Sequence, residues 1–287
     1  MALLAASALM AACGGAKVKM ADLTVEGYSN PQAVATSEPR FGWKYEAKAN
    51  NVKQVDYRIV VAASEQDAKQ GNGTLWDSKT VPSSTMAYIK YEGLPLQSRS
   101  VAFWKAYATL VCGDNADTVR VESPVQTFRM SLLNPADWTA QWIGHEFDDD
   151  VMVEHTRVAA RYLRKTFSTK DEVADARLYI AGLGQYSVFV NGTEVAANEL
   201  LKPALSDYRK RVYFNAYDVT SLLKPGTGAI GVVLAGGRFT AMRQREGGRP
   251  PAMTVHFGSP RLIAQLEISY KDGSRETVST DGSWKII

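Results

Sequence analysis

Hydrophobic and polar residues alternate along most of this chain in short runs, the period of half-buried β-strands and not of helices. From Leu23 to Phe128 the runs are LTVEGY, FGWKYEA, VDYRIVVAAS, TLWDSKTV, MAYIKY, SVAFWKAYATLV and VQTFRM. Pro31 and Pro39 punctuate the first loop, and a polar stretch ending in Gly71-Asn72-Gly73 follows the third run. About seven short strands in so short a stretch predict a fibronectin III or immunoglobulin-like sandwich. Trp43, Trp76 and Trp104 fall on the core-facing phases of these strands, where aromatic rings pack.

A second series begins at Arg161 with RYLRKTFST, DARLYIAG, YSVFVNG, RVYFNAYDV, AIGVVLAGG, MTVHFG, RLIAQLEISY and ETVSTDG. Asn191-Gly192 between alternating runs predicts a hairpin turn before it predicts the glycosylation site that Asn191-Gly192-Thr193 also spells. Val219 to Leu223 predicts one helical or turn-like step, and the near-continuous AIGVVL run predicts a strand buried on both faces. Strand count and turn spacing suit a jelly roll. Between the two series, Pro135 breaks the pattern within SLLNPADWTAQWIG, and Trp138 and Trp142 are expected to pin the domains together.

The expected organisation is therefore all-β. A leader and tether occupy residues 1–19, a fibronectin III/Ig-like sandwich 20–130, a linker and junction 131–160, and a jelly-roll, galactose-binding-like sandwich 161–287. The chain stops at Trp284-Lys285-Ile286-Ile287, directly after Asp281-Gly282, which reads as an interruption of the jelly roll.

Composition narrows the function. Charged residues make up 22% of the chain with a formal net charge of +3 and both signs interspersed, so no basic face for nucleic acid is implied. Two cysteines, Cys13 and Cys112, are too few for a disulfide framework or a cysteine-based zinc site. Cys112 in LVCGD reads as a small buried or half-buried residue. Cys13 closes the apolar run ALLAASALMAACGG, shorter than the about 20 residues a membrane-spanning helix needs. It has the length of a signal-peptide core, and Leu9 to Gly14 resembles a lipoprotein processing box, although no charge precedes Cys13. That box implies lipidation of Cys13 and a place in the periplasm or at the cell surface, held to a membrane by lipid alone.

An ordered set of motifs is similar to the N-terminal region of bacterial α-L-rhamnosidases, glycoside hydrolase family 78. Pro39-Arg40-Phe41-Gly42-Trp43 resembles the family's PRFSW-type strand, followed by Tyr57 to Ala62, Leu75-Trp76-Asp77-Ser78, Pro95-Leu96 and Phe103-Trp104-Lys105-Ala106. Trp138 to Gly144 is similar to the DWxAxWIG junction. Ala176 to Tyr179, Gly182-Leu183-Gly184, Val190-Asn191-Gly192, Asp207 to Val212, Tyr217 to Thr220 and Ile230-Gly231-Val232 continue the likeness. The chain departs from the pattern at Ala235 to Phe239, where Gly-Asn-Gly-Trp is common, and at Leu205, where a Trp often precedes SDY.

The resemblance implies an enzyme that releases terminal α-L-rhamnose from glycans or plant glycosides by inversion, using an acidic and a basic carboxyl group across a water. It places those carboxylates in an (α/α) barrel beyond the jelly roll, so no catalytic residue is assigned here. Glu194, Glu199 and Asp207 read as solvated loop carboxylates. Some relatives carry a calcium-dependent rhamnose-binding jelly roll, which draws attention to Asn191, Glu194, Asn198 and Asp207 at one sandwich end; no other cofactor is implied.

The segment Asp207-Tyr208-Arg209-Lys210-Arg211 offers a phenol and planar guanidinium groups, chemistry suited to pyranose rings. Placed on a strand, Tyr208, Lys210 and Val212 face one side and Arg209 and Arg211 the other. Asn191, Asp207, Tyr208 and Arg209 are thus the candidate carbohydrate contacts, with a solvated strand as the competing reading.

Other patterns carry less. Gly182-Leu183-Gly184 lacks the third glycine of a dinucleotide fingerprint and precedes a strand. The acidic run Glu146, Asp148, Asp149, Asp150 reads as a solvated loop, and His145, His155 and His256 show no metal-ligand spacing. The leading expectation is the two non-catalytic modules of a lipid-anchored α-L-rhamnosidase, bracing the catalytic barrel and contacting carbohydrate. A free-standing carbohydrate-binding surface lipoprotein is the alternative, and a structural adhesion module the third.

Overall fold

The computed structural model describes residues 11–13, 16–48, 50–112, 117–145, 159–170, 172–240 and 257–287. The chain divides into two compact units, Met1–Asp137 and Trp138–Ile287. Both are antiparallel β-sandwiches, as the alternating runs predict.

The first unit contains β1 (Ala11–Cys13), β2 (Ala16–Val25), β3 (Arg40–Ala47), β4 (Lys53–Ala62), α1 (Glu65–Gln70), β5 (Trp76–Asp77), β6 (Val81–Pro82), β7 (Ile89–Lys90), β8 (Val101–Cys112), β9 (Asp117–Glu122) and β10 (Gln126–Arg129). One sheet runs β1-β2-β3-β7 and the other β10-β8-β4-β5, with β6 also on β4 and β9 also on β8. Inward positions of the strands close one core, in which Phe41 and Trp104 meet at 4.9 Å and Phe41 and Phe128 at 5.9 Å between ring centroids. Trp43 and Trp104 are buried, and the half-buried Trp76 packs edge-on to Tyr91, so all three tryptophans are core residues.

Both edges of that second sheet are broken. β9 and β10 lie in line on one side of β8, interrupted at Ser123-Pro124. β5 and β6 lie in line on the far side of β4, interrupted around Lys79, whose φ is 55°. At each break a serine hydroxyl accepts the inner strand's N–H: Ile59 N donates to Ser78 Oγ at 2.8 Å, and Ala106 N to Ser123 Oγ at 3.0 Å.

Three features of this unit differ from the expectation. The polar stretch before Gly71 is helix α1, capped by Ser64, whose side chain accepts from Asp67 N, and closed by Gly71 at φ 76°. Strand β9 is an addition. Cys112, at the end of β8, is buried as expected and also disulfide-bonded.

The second unit contains β11 (Arg161–Thr169), β12 (Val173–Leu183), β13 (Gln185–Val190), β14 (Thr193–Glu194), β15 (Asn215–Asp218), β16 (Gly226–Ala235), β17 (Arg261–Tyr270), β18 (Arg275–Ser279) and β19 (Lys285–Ile286). Its sheets are β14-β13-β16-β11-β19 and β15-β12-β17-β18. Gly184 carries the chain from the second sheet to the first between β12 and β13. Its φ is 135°, and a Cβ there would lie 2.2 Å from the Ala235 carbonyl oxygen, so only glycine makes this corner.

Asn191 and Gly192 both have positive φ, 51° and 82°, and join β13 to β14 in the hairpin expected of Asn-Gly. The helical step is a 3-10 turn over Thr220–Leu222. Strand β16 is not buried on both faces. Ile230, Val232 and Leu234 are buried while Gly231 and Val233 between them are half-buried, and the doubly buried stretches lie instead in β12 and β17. Trp138 belongs to this unit, edge-on to Phe214 and Tyr179 at 5.5 and 6.5 Å, whereas Trp142 is 40% exposed.

Candidate functional site

The excursion between β14 and β15, residues 195–214, holds three of the four candidate contacts, and its local bonding decides what each presents. The alternation that placed Asp207 to Arg211 on a strand is overturned. Lys210 N and Arg211 N both donate to Asp207 O, at 2.8 and 2.9 Å, and Arg209 N donates to Asp207 Oδ1. Asp207 thus closes a turn with its own backbone and side chain, the local competition that Asp brings against strand pairing. No inside-outside alternation orders Tyr208 to Val212.

On this turn Asp207 and Arg209 are exposed, and Lys210 Nζ lies 3.7 Å from Asp207 Oδ2. Tyr208 is turned inward. Its ring stands edge-on to Phe239 at 5.0 Å and to Phe257 at 5.3 Å, and burial raises the pKa of its hydroxyl. The Tyr208 ring is therefore a packing surface.

Asn191 sits apart, in the β13–β14 hairpin. Its Oδ1 accepts from Ala229 N at 2.9 Å and its Nδ2 donates to Leu222 O at 2.8 Å. Both polar ends fasten backbone, which explains why an asparagine occupies this turn.

The neighbouring acids have internal partners. Glu194 Oε1 accepts from Lys202 Nζ at 2.8 Å, and the hydrogen bond to that ammonium holds its carboxyl below the ordinary range. Glu199 Oε2 accepts from the Tyr217 hydroxyl at 2.8 Å. Among the described residues no three His, Cys, Asp or Glu side chains are grouped to hold a metal ion. His155, His256, Glu146 and Asp148 to Asp150 lie outside the described residues.

The same excursion carries a feature that motif reading missed. Leu200 is 96% exposed, and Leu201, Leu205 and Tyr213 are 52%, 50% and 44% exposed. The frame beneath them is tied down by the buried Lys202, whose ammonium also donates to Val195 O and Ala196 O, and Lys202-Pro203 is a cis peptide. Apolar side chains held outward on a fixed frame mark a surface for contact. The signal was available in LLKPAL, where no alternation gives the leucines an inner face.

Two β-sandwiches in series make up the chain, the second presenting an apolar loop and a charged turn. Residues 20–134 match the Rha78A-like N-terminal immunoglobulin domain, and residues 171–287 the alpha-L-rhamnosidase N-terminal domain. An alpha-L-rhamnosidase of Formosa agariphila is 36% identical over 266 residues, covering 91% of this chain and 27% of that protein. The structure of alpha-L-rhamnosidase from Dictyoglumus thermophilum is 32% identical with a TM-score of 0.77, covering 93% of this chain and 29% of that one. The structure of Streptomyces avermitilis alpha-L-rhamnosidase complexed with L-rhamnose shares the fold, with a TM-score of 0.80 at 19% identity over 94% of this chain and 41% of that one. The chain belongs to the α-L-rhamnosidase family, to the N-terminal modules of family 78. It spans about 27% of the length of the curated relatives it matches.

Proposed function

We propose that this chain supplies the two non-catalytic N-terminal modules of an α-L-rhamnosidase that releases terminal α-L-rhamnose from glycans or plant glycosides with inversion. The observation that carries this reading is continuity: likeness runs through both modules, over 91% of the chain at 36% identity, to a relative of that activity. The modules brace the catalytic barrel through the exposed leucines of residues 200–205, and Asp207 and Arg209 on the adjoining turn contact carbohydrate. Cys13 is lipidated in molecules in which it does not bridge to Cys112, and the protein works outside the cytoplasm. Among the described residues no helix is long and apolar enough to cross a membrane.

The test is to read the coding DNA past Ile287 and assay both products on p-nitrophenyl α-L-rhamnoside. An open frame whose full-length product releases L-rhamnose, while the 287-residue chain does not, supports the proposal. A stop codon directly after Ile287 overturns it in favour of a free-standing lipoprotein.

A further inference from the structure

The first unit carries a shallow cleft of ≈370 Å³ between the β2–β3 hairpin and the stretch leading into β7, bordered by Thr24, Glu26, Gly27, Arg40, Ala87 and Tyr88. Tyr88 is 78% exposed, and its presentation follows from the register. Phe41 pairs with Ile89, yet Trp43 N donates to Met86 O at 2.9 Å. Two steps along β3 are matched by three along its partner, so the partner strand is bulged at Ala87-Tyr88. Bulges at sheet edges re-aim side chains. Tyr88 takes the left-handed conformation, φ 58°, where glycine is the unstrained residue and a bulky ring is an outlier. A tyrosine kept at a glycine position, with its ring outside the core, points to a use for the ring.

The surroundings name the chemistry. Arg40 and Glu26 form a two-pronged pair, Nε to Oε1 at 3.0 Å and Nη2 to Oε2 at 2.7 Å, and Arg40 N also donates to Oε1. Glu26 is itself at φ 52°, so a second strained residue fixes the pair. The Arg40 guanidinium lies 5.4 Å from the Tyr88 ring centroid, steadying one face and leaving the other to solvent. The Arg40 side chain remains 50% exposed, with its Nη1 edge clear of Glu26. An aromatic face beside a planar donor and a carboxylate matches the C–H face and vicinal hydroxyls of a sugar ring. The pair is neutral overall, which selects a neutral sugar over an acidic one.

We infer that this cleft is a second carbohydrate-contact site, on the immunoglobulin-like unit, taking one pyranose ring of a neutral saccharide against the open face of Tyr88. The inference goes beyond the reading of the second unit and needs no attached catalytic domain, so a failed hydrolysis assay leaves it standing.

Calorimetric titration of the 287-residue chain tests it, with methyl α-L-rhamnoside, a rhamnose-terminated oligosaccharide and galacturonic acid as probes. Saturable binding of the neutral probes is expected, on the order of millimolar for one ring. Tyr88→Gly is expected to weaken it by about tenfold or more while raising the melting temperature, because glycine relieves the left-handed strain. Tyr88→Trp keeps binding, and Arg40→Met weakens it. Three outcomes overturn the inference: no saturable binding up to about 50 mM of either neutral probe, binding indifferent to Tyr88→Gly, or preference for the uronic acid.

Discussion

Ser123 takes the place of a backbone carbonyl opposite Ala106. Ser123 N donates to Ala106 O at 2.8 Å, and Ala106 N answers by donating to the Ser123 hydroxyl at 3.0 Å, which itself donates to Pro124 O. Both residues are buried. Ser123→Ala removes one oxygen and leaves a buried N–H without a partner, at a cost of about 1–3 kcal/mol. Urea unfolding followed by tryptophan fluorescence measures it. Ser123→Thr, which keeps the hydroxyl, is expected to lose much less.

Lys202 is 5% exposed and holds Glu194 and the carbonyls of Val195 and Ala196 together. Lys202→Met removes three donors at once, an expected loss on the order of 1–3 kcal/mol from the second unit. Increased hydrogen exchange over residues 195–206 should accompany it. Glu194→Gln is expected to be milder, since that carboxyl is partly in water and screened.

Asp137 gives the first unit a pH dependence. Burial works to raise its pKa, but hydrogen bonds from the Ser98 hydroxyl, Asn134 N and Arg99 outweigh burial and bring it down to about 2 from 3.8. A carboxyl with a lowered folded pKa stabilises fully above its unfolded value and stops stabilising as pH falls through the folded one. Stability should therefore drop between about pH 4 and pH 2. Asp137→Asn is expected to flatten that part of the urea-midpoint profile relative to the parent chain.

Cys112 is disulfide-bonded, and the sequence contains one other cysteine, Cys13. A thioether-linked lipid at Cys13 and an intramolecular bridge to Cys112 use the same sulfur, so no single molecule carries both. Intact mass after alkylation without reductant separates them. Lipidated chains should take one alkyl group at Cys112, whereas bridged chains take none until reduced.

The fold was legible because most strands bury one face and alternate. YSVFV in β13 and SVAFWKAYATLV in β8 are read directly by period. Helix α1 escaped because six residues are too few for a helical period, although Ser64 and Gly71 at its ends are ordinary caps. The turn at Asp207 escaped because a side-chain bond to Arg209 N outweighs alternation. Nothing in the residues around Tyr88 shows the bulge, which depends on how Met86 and Ile89 register on another strand. The apolar loop at Leu200 to Leu205 was present in the letters, but its meaning needed the buried ammonium of Lys202 beneath it.

The interrupted rims of the first unit also govern what this molecule does in a crowd. A long free strand edge invites a neighbour's strand to extend the sheet, the route to fibres and precipitates. Here the outermost pieces are β9 and β10, of six and four residues, and β5 and β6, of two residues each, with a proline in β6 and another beside the β9–β10 break. A broken edge of that kind gives an incoming chain little to copy. At that sheet, closely packed copies of this protein are thereby left to meet through side chains, where specificity resides, instead of through backbone, where it does not.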